Sequence, residues 1–222
     1  MTRTTVGIRS VNVGVPQPLA RTGDGEVVWS AIAKTPVASG SVLWLSLMNL
    51  SGDGQADLTV HGGVDKAVYA YPSEHLDPWS AELDESLGVA AFGENLSTVG
   101  VSEADVCIGD VWVWGAATLE VCQPRWPCFK LALHRGRPDI QQRMRRSGRT
   151  GWYLRVLDVG AVSVDAEIVV ARRDPAALSI ADAHEAMSDR HLERPDLVRA
   201  LAAHERLAED WREPLLQRLS RS

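Results

Sequence analysis

Residues 110–122 read DVWVWGAATLEVC. The patches DVWVWG and ATLEVC are short and rich in strand-favouring residues, with a glycine-containing turn between them. That pattern predicts a β-hairpin. The same texture recurs outward along the chain, in TTVGIRSV (4–11), EVVWSAIA (26–33), KAVYAY (66–71), WYLRVL (152–157) and AEIVVA (166–171). In 26–33, Val27, Trp29 and Ala31 share one face. Many short strands without regular intervening helices predict a mainly β chain with some helices, an α+β protein built on a closed or half-closed barrel.

Helices are expected at three inserts. Leu76, Trp79, Leu83 and Leu87 recur at helical spacing after the possible cap Ser73, with Pro78 inside the pattern. A second helix should follow Pro127, and a third should run from Pro138 to about Arg146. From Leu178 the texture changes. Ser179 with Asp182 is a helix-start signal, Pro195 opens another helix, and Trp211, Leu215 and Leu219 share the face of a last one. This gives a division into 1–173, a barrel, and 174–222, a three-helix tail. So short a bundle is marginal alone. It is expected to pack on the barrel or on a second copy, which makes a homodimer an open expectation.

The chain has 222 residues and a formal net charge of −6, which argues against general nucleic-acid affinity. No run reaches the ~18 apolar residues of a membrane span. The N-terminus lacks a secretory pattern, and the three cysteines are not spaced as a disulfide framework, so a cytoplasmic protein is expected. Charge is uneven: Lys130 to Arg149 holds seven basic residues against the single acid Asp139. A solvated helix face explains that run, and so does attraction of an anionic ligand or an acidic partner.

The chemistry concentrates in QPRWPC (123–128). Pro127 holds Trp126 extended and suits a first helical turn, which places Cys128 at a helix start. Unpaired N–H groups there, with Arg125 and Lys130 nearby, favour a thiolate able to act as nucleophile or metal ligand. A buried, inert cysteine is the plain alternative. Cys107 and Cys122 lie in strand-like patches and are read as core. No CxxC or HxxxH suggests zinc, and GDGEVV and GDGQAD lack the third glycine of a nicotinamide fingerprint. A cysteine hydrolase would draw its base from His61, His75 or His134. Lys34, Thr35, Asn95 and Arg125, each near glycine or proline, are candidates to hold a phosphate and a heterocycle edge.

Together, KTPV (34–37), GDGQADLTVHGGVDKAVYAYP (52–72), AFGENLS (91–97), DVCIGD (105–110), QPRWPC and SGRTGWYLRV (147–156) resemble the MOSC family, named after the C-terminal domain of molybdenum cofactor sulfurase. The likeness is to its YiiM-type subgroup, which carries a small three-helix C-terminal domain. The resemblance implies a MOSC β-barrel holding a molybdopterin-type molybdenum cofactor, with Cys128 as the metal ligand. Lys34, Thr35, Asn95, Arg125, Arg149 and His61 would hold the pterin and phosphate. It further implies a reductase of N-hydroxylated small molecules such as hydroxylaminopurines. With no flavin or nicotinamide motif, its electrons should come from a separate reductase, for which the basic run is a candidate dock. For the proton that the reaction needs, His61 is the candidate donor, because imidazole titrates near neutrality. The alternatives are a Cys128 persulfide sulfur carrier or transferase, and a non-catalytic cofactor carrier. Trp126 and the segment WLSLMNLSGD (44–53) depart from the family pattern and bear on the substrate.

Overall fold

The hairpin read at 110–122 forms as β8 (Val111–Trp114) and β9 (Ala117–Pro124), paired from Val111↔Glu120 to Trp114↔Ala117. The computed structural model describes residues 4–57 and 62–221. The other barrel strands are β1 (Thr5–Val13), β6 (Val68–Pro72), β7 (Leu96–Val99), β10 (Trp152–Asp158) and β12 (Ile168–Arg172). Their order is β12-β8-β9-β10-β6-β7-β1, and β1 pairs back to β12 through Thr5↔Val169 and Val6↔Ile168. The seven strands therefore close, which removes the exposed edges of an open sheet.

β1 is long because it serves three neighbours. Its start joins β12, its middle joins β7, and its end joins β4 (Thr35–Pro36). A register shift between Ile8 and Ser10 marks the bend between them. β6 and β7 are parallel, and a parallel pair needs a long crossover. That crossover carries a 3-10 turn (Ser73–His75) and α1 (Leu76–Leu83). The helix stops at Asp84 in the left-handed conformation, so Leu87 lies beyond it.

The segment 26–33 departs from expectation. Its alternation belongs not to a barrel strand but to β3 (Val27–Ser30), which pairs only with β2 (Gln17–Arg21) in a separate hairpin. Trp29 there is 49% exposed. A second pair, β5 (Val42–Leu45) with β11 (Gly160–Ser163), also lies outside the ring.

Two cores result. One fills the barrel, with Trp112 and Trp152 edge to face at 6.0 Å among Val6, Leu96, Leu119 and Ile168. The other lies between Tyr69 and Tyr71 of β6 and the helices α1, α2 (Phe129–Arg135) and α3 (Ile140–Ser147), and includes Trp79, Leu131, Ile140 and Met144.

The tail forms α4 (Ile180–Ser188), α5 (Pro195–Ala202) and α6 (Glu209–Leu219). Ser179 and Asp182 make the full capping box, and Pro195 takes the first turn of α5. The tail packs on its own barrel: Ile180, Val198, Leu201, Trp211 and Leu215 belong to the same core as the barrel interior. Polar ties reinforce the seam. Ala208 N–H donates to the Cys122 carbonyl at 2.9 Å, and Arg206 reaches the buried Glu120 at 3.2 Å.

Gly151 sits where α3 hands over to β10. Its φ is +65°, and a Cβ there would lie 2.3 Å from the Ala70 carbonyl oxygen. The φ alone costs another residue about 1–2 kcal/mol. Gly151→Ala is therefore expected to lower the unfolding free energy by more than that, read as a fall in the urea midpoint at unchanged slope.

Candidate functional site

β9 ends at Pro124, and the next backbone N–H, of Arg125, donates to the Gly151 carbonyl at 3.1 Å. This pins the loop that follows to the start of β10. Arg145 of α3 braces it again, donating to the Pro127 carbonyl at 3.0 Å with its guanidinium 5.1 Å above the Trp126 ring. Cys128 then forms the N-cap of α2, with extended backbone (φ −114°, ψ 174°). The loop and helix start expected from the prolines are thus present.

A cavity of about 580 Å3 opens at this point, a size typical of sites for small organic ligands. Cys128, Arg125, Trp126 and Lys130 form one wall. Lys34, Asp53, Tyr69 and Asn95 form another, and Met187, Arg190, Trp211 and Arg218 close it from the tail. Its described lining holds six basic side chains (Lys34, Lys66, Arg125, Lys130, Arg190, Arg218) and only two acids (Asp53, Asp210). In a chain of net charge −6, such a concentration selects for anions.

Arg125 is the decisive cation. It is only 6% exposed, and its guanidinium donates to the Tyr69 hydroxyl at 3.3 Å and lies 4.8 Å over that ring. No described carboxylate pairs with it. A guanidinium does not lose its proton in proteins, and a buried charge without a counter-ion is costly. An anionic ligand would supply the missing partner. Arg125 also interacts electrostatically with Cys128, so thiol and guanidinium form one unit. Lys130, 8% exposed, likewise has no carboxylate partner among the described residues.

Asp53 organises the opposite wall. Its carboxylate accepts from Gly14 N–H at 2.9 Å, from Asn95 Nδ2 at 2.9 Å, and from the Lys34 ammonium. Burial pulls the Lys34 pKa below the ordinary lysine value, while Asp53 pushes it up. Asn95 spends its amide on the protein: Oδ1 accepts from Tyr69 N–H at 3.1 Å, and Nδ2 also donates to the Asn12 carbonyl at 3.2 Å. It ties β1 to β6 and holds Asp53 in place.

The cavity thus gathers Cys128, Arg125, Lys34 and Asn95, but not every candidate. Thr35 is exposed on β4 and Arg149 turns away to Glu82 at 2.5 Å and over the Trp79 ring at 4.1 Å. Neither is part of the cavity lining. His61 lies outside the described residues. His75 pairs with Glu103 at 2.8 Å, and neither it nor His134 lines the cavity, so no described histidine is placed to serve Cys128 as a base. Cys122 is buried, and burial pushes its thiol up to about 12. Cys107, read as core, is instead half-buried and lies outside the strands, its thiol also raised by burial.

Four of the seven basic residues of 130–149 meet a carboxylate. Arg135 and Arg137 meet Glu85, Arg143 meets Asp139 and Arg149 meets Glu82. Sequence reasoning missed the tail's share of the cavity. Trp126 itself is held by the tail, with the His184 ring at 5.8 Å and the Trp211 ring edge-on at 5.7 Å. The available signal was the spacing of Trp211, Pro214 and Arg218, a second face of α6 beside the apolar one.

Among the described residues, no group of three or more His, Cys, Asp or Glu is placed to hold a bare metal ion. A metal at Cys128 would take its other ligands from an organic cofactor. The soft thiolate, the unpaired buried guanidinium, the excess of basic groups and the volume all fit a phosphate-bearing metal–pterin.

Comparison with known proteins gives three findings. The model of the MOSC domain matches residues 57–169. An uncharacterised Bacillus subtilis protein, YflK, is 38% identical over 219 residues, covering 96% of this chain and 95% of its own length. The crystal structure of YiiM from Geobacillus stearothermophilus superposes with a TM-score of 0.79 at 35% identity, covering 96% of this chain and 99% of that one.

Proposed function

The chain belongs to the MOSC domain family, and on that premise we propose that it is a molybdenum-cofactor-dependent reductase of N-hydroxylated compounds of the hydroxylaminopurine type. The observation that carries this reading is the union, in one cavity, of the Cys128 thiol with the buried guanidinium of Arg125, which no described carboxylate neutralises. When bound, the cofactor supplies two-electron oxygen-atom-transfer chemistry at the metal. The overall change is R–NH–OH with two electrons and two protons giving R–NH2 and water.

The protein's part is binding, orientation and proton supply. Cys128 ligates the metal from a loop fixed by Pro124, Pro127 and Arg145. Arg125 and Lys130 hold the cofactor's anionic groups in a wall where water is scarce and charge interactions are strong. Asp53 and Asn95 hold Lys34 at the cavity surface, where its ammonium is a proton-bearing group facing the ligand. His61 remains the other proton donor read from the sequence. The chain carries no flavin or nicotinamide motif, so a separate reductase delivers the electrons.

The test uses protein made in a host that synthesises the cofactor, with a chemically reduced dye as electron donor. We expect N-hydroxylated purine to give the amine with two electrons consumed per molecule. Cofactor bound without turnover would point to a carrier, and sulfane sulfur on Cys128 without molybdenum to a sulfur transferase. Arg125→Leu is expected to lower cofactor occupancy at least about ten-fold, since a charge-assisted contact contributes ~1.5–3 kcal/mol. Its melting temperature should not fall by a comparable measure, because the substitution removes an uncompensated buried charge.

A further inference from the structure

Beside the main cavity lies a shallower hollow of about 500 Å3, lined by Arg190, His191, Pro214, Gln217, Arg218 and Arg221 together with Leu192. Arg190, Pro214 and Arg218 line both spaces, so the two adjoin. No carboxylate is among its described lining. The acid that interacts with Arg218 is Asp189, and its two oxygens are taken by the backbone N–H groups of Glu193 and Arg194 at 3.0 and 2.8 Å.

Arg218 is held ready. Nη1 donates to the carbonyls of Ala186 and Asp189, both at 2.6 Å, and Nη2 donates to that of Met187 at 3.1 Å. A guanidinium carries five N–H donors, so Nε and one hydrogen of Nη2 are left for a ligand. Arg190 and Arg221 are exposed and make no ion pair among the described residues. Trp211, Pro214 and Arg218 follow at steps of three and four on one face of α6, and Arg221 lies just past the end of that helix. That face runs from the apolar wall beside Cys128 out to the basic hollow. A rise of 1.5 Å per residue separates Trp211 from Arg218 by roughly 10 Å, a span that a mononucleotide bridges.

Resting on the reductase reading above, we infer that the N-hydroxylated base is taken as its phosphate ester. The site is one for nucleotides rather than free bases or nucleosides. The ring lies against the apolar wall at Trp126 and Trp211, and Arg190, Arg218 and Arg221 receive the phosphate. The tail is then the part of the chain that sets substrate class. The same phosphate chemistry has one other source, the cofactor itself, and the test separates them.

Calorimetric titration of the full-length, cofactor-loaded protein with AMP and with adenosine reads the site directly. AMP is expected to bind at least about ten-fold more tightly than adenosine. The preference should shrink as salt rises, because exposed arginines are screened. Arg221→Glu, at a residue that lines the hollow and not the main cavity, should bring AMP to the level of adenosine, with adenosine affinity and molybdenum content unchanged; Arg190 is left intact because it also lines the main cavity. Arg218 is left intact because it ties together the end of α4. Equal affinities of the parent protein for AMP and adenosine would overturn the inference, as would an Arg221→Glu variant that keeps the preference. So would loss of molybdenum and pterin from that variant, which would assign the arginines to the cofactor's own phosphate. Binding is read without turnover. A protein that prefers AMP but reduces no N-hydroxylated purine would count against the reductase reading and leave the phosphate site standing.

Discussion

Cys128→Ala is expected to yield protein with essentially no molybdenum and a melting temperature within a few degrees of the parent. Cys128 is the N-cap residue of α2 but its thiol makes no capping hydrogen bond, and it is half-exposed, so removal of the thiol leaves no core void. The loop around it is held by backbone and by Arg145. Cys122→Ala should behave in the opposite way. That side chain is fully buried in the barrel and its thiol donates to the Asp65 carbonyl at 3.2 Å, so stability should fall by about 1–3 kcal/mol while metal content holds. Metal analysis and thermal melts on the two variants together separate ligand from core. Equal loss of metal from both would contradict a single thiolate ligand.

A chain cut after Arg173 is expected to be recovered unfolded or aggregated, not as a working barrel. The cut removes Leu197, Val198, Leu201, Trp211 and Leu215, all part of the barrel's own core. At ~1.5–3 kcal/mol per buried side chain, their loss is on the order of 10 kcal/mol, comparable with the whole stability of a domain. It also strips one side of the cavity, including Trp211 and Arg218. Trp211→Ala gives a graded version, expected to cost ~3–5 kcal/mol in urea unfolding. A soluble truncated barrel with full cofactor content would show that the tail is dispensable to both fold and site.

The barrel was legible because its strands carry strong two-residue periodicity, as in Trp112 and Trp114 facing the core while Val111 and Val113 do not. The tail helices were legible through their punctuation, Ser179 with Asp182 and Pro195. The segment 26–33 misled because a two-stranded hairpin on the surface alternates just as a barrel strand does, and periodicity alone does not say what lies on either side. Cys128 could be read because prolines constrain backbone locally. Arg149 could not: its position in SGRTG is local, but its partners Glu82 and Trp79 come from a helix far away in the chain. The same reason hid the pairing of Arg135, Arg137 and Arg149 with Glu85 and Glu82, and the tail's wall of the cavity. Ion pairs and cavity walls are made by chain topology, which no local window contains.

The central claim is that the cavity beside Cys128 and Arg125 is a molybdenum-cofactor site. The direct measurement is the molybdenum and pterin content of the full-length protein purified from a host that makes the cofactor. The account predicts one molybdenum and one phosphate-bearing pterin per chain. Protein that emerges from such a host with an intact fold, but with neither molybdenum nor pterin, would contradict it.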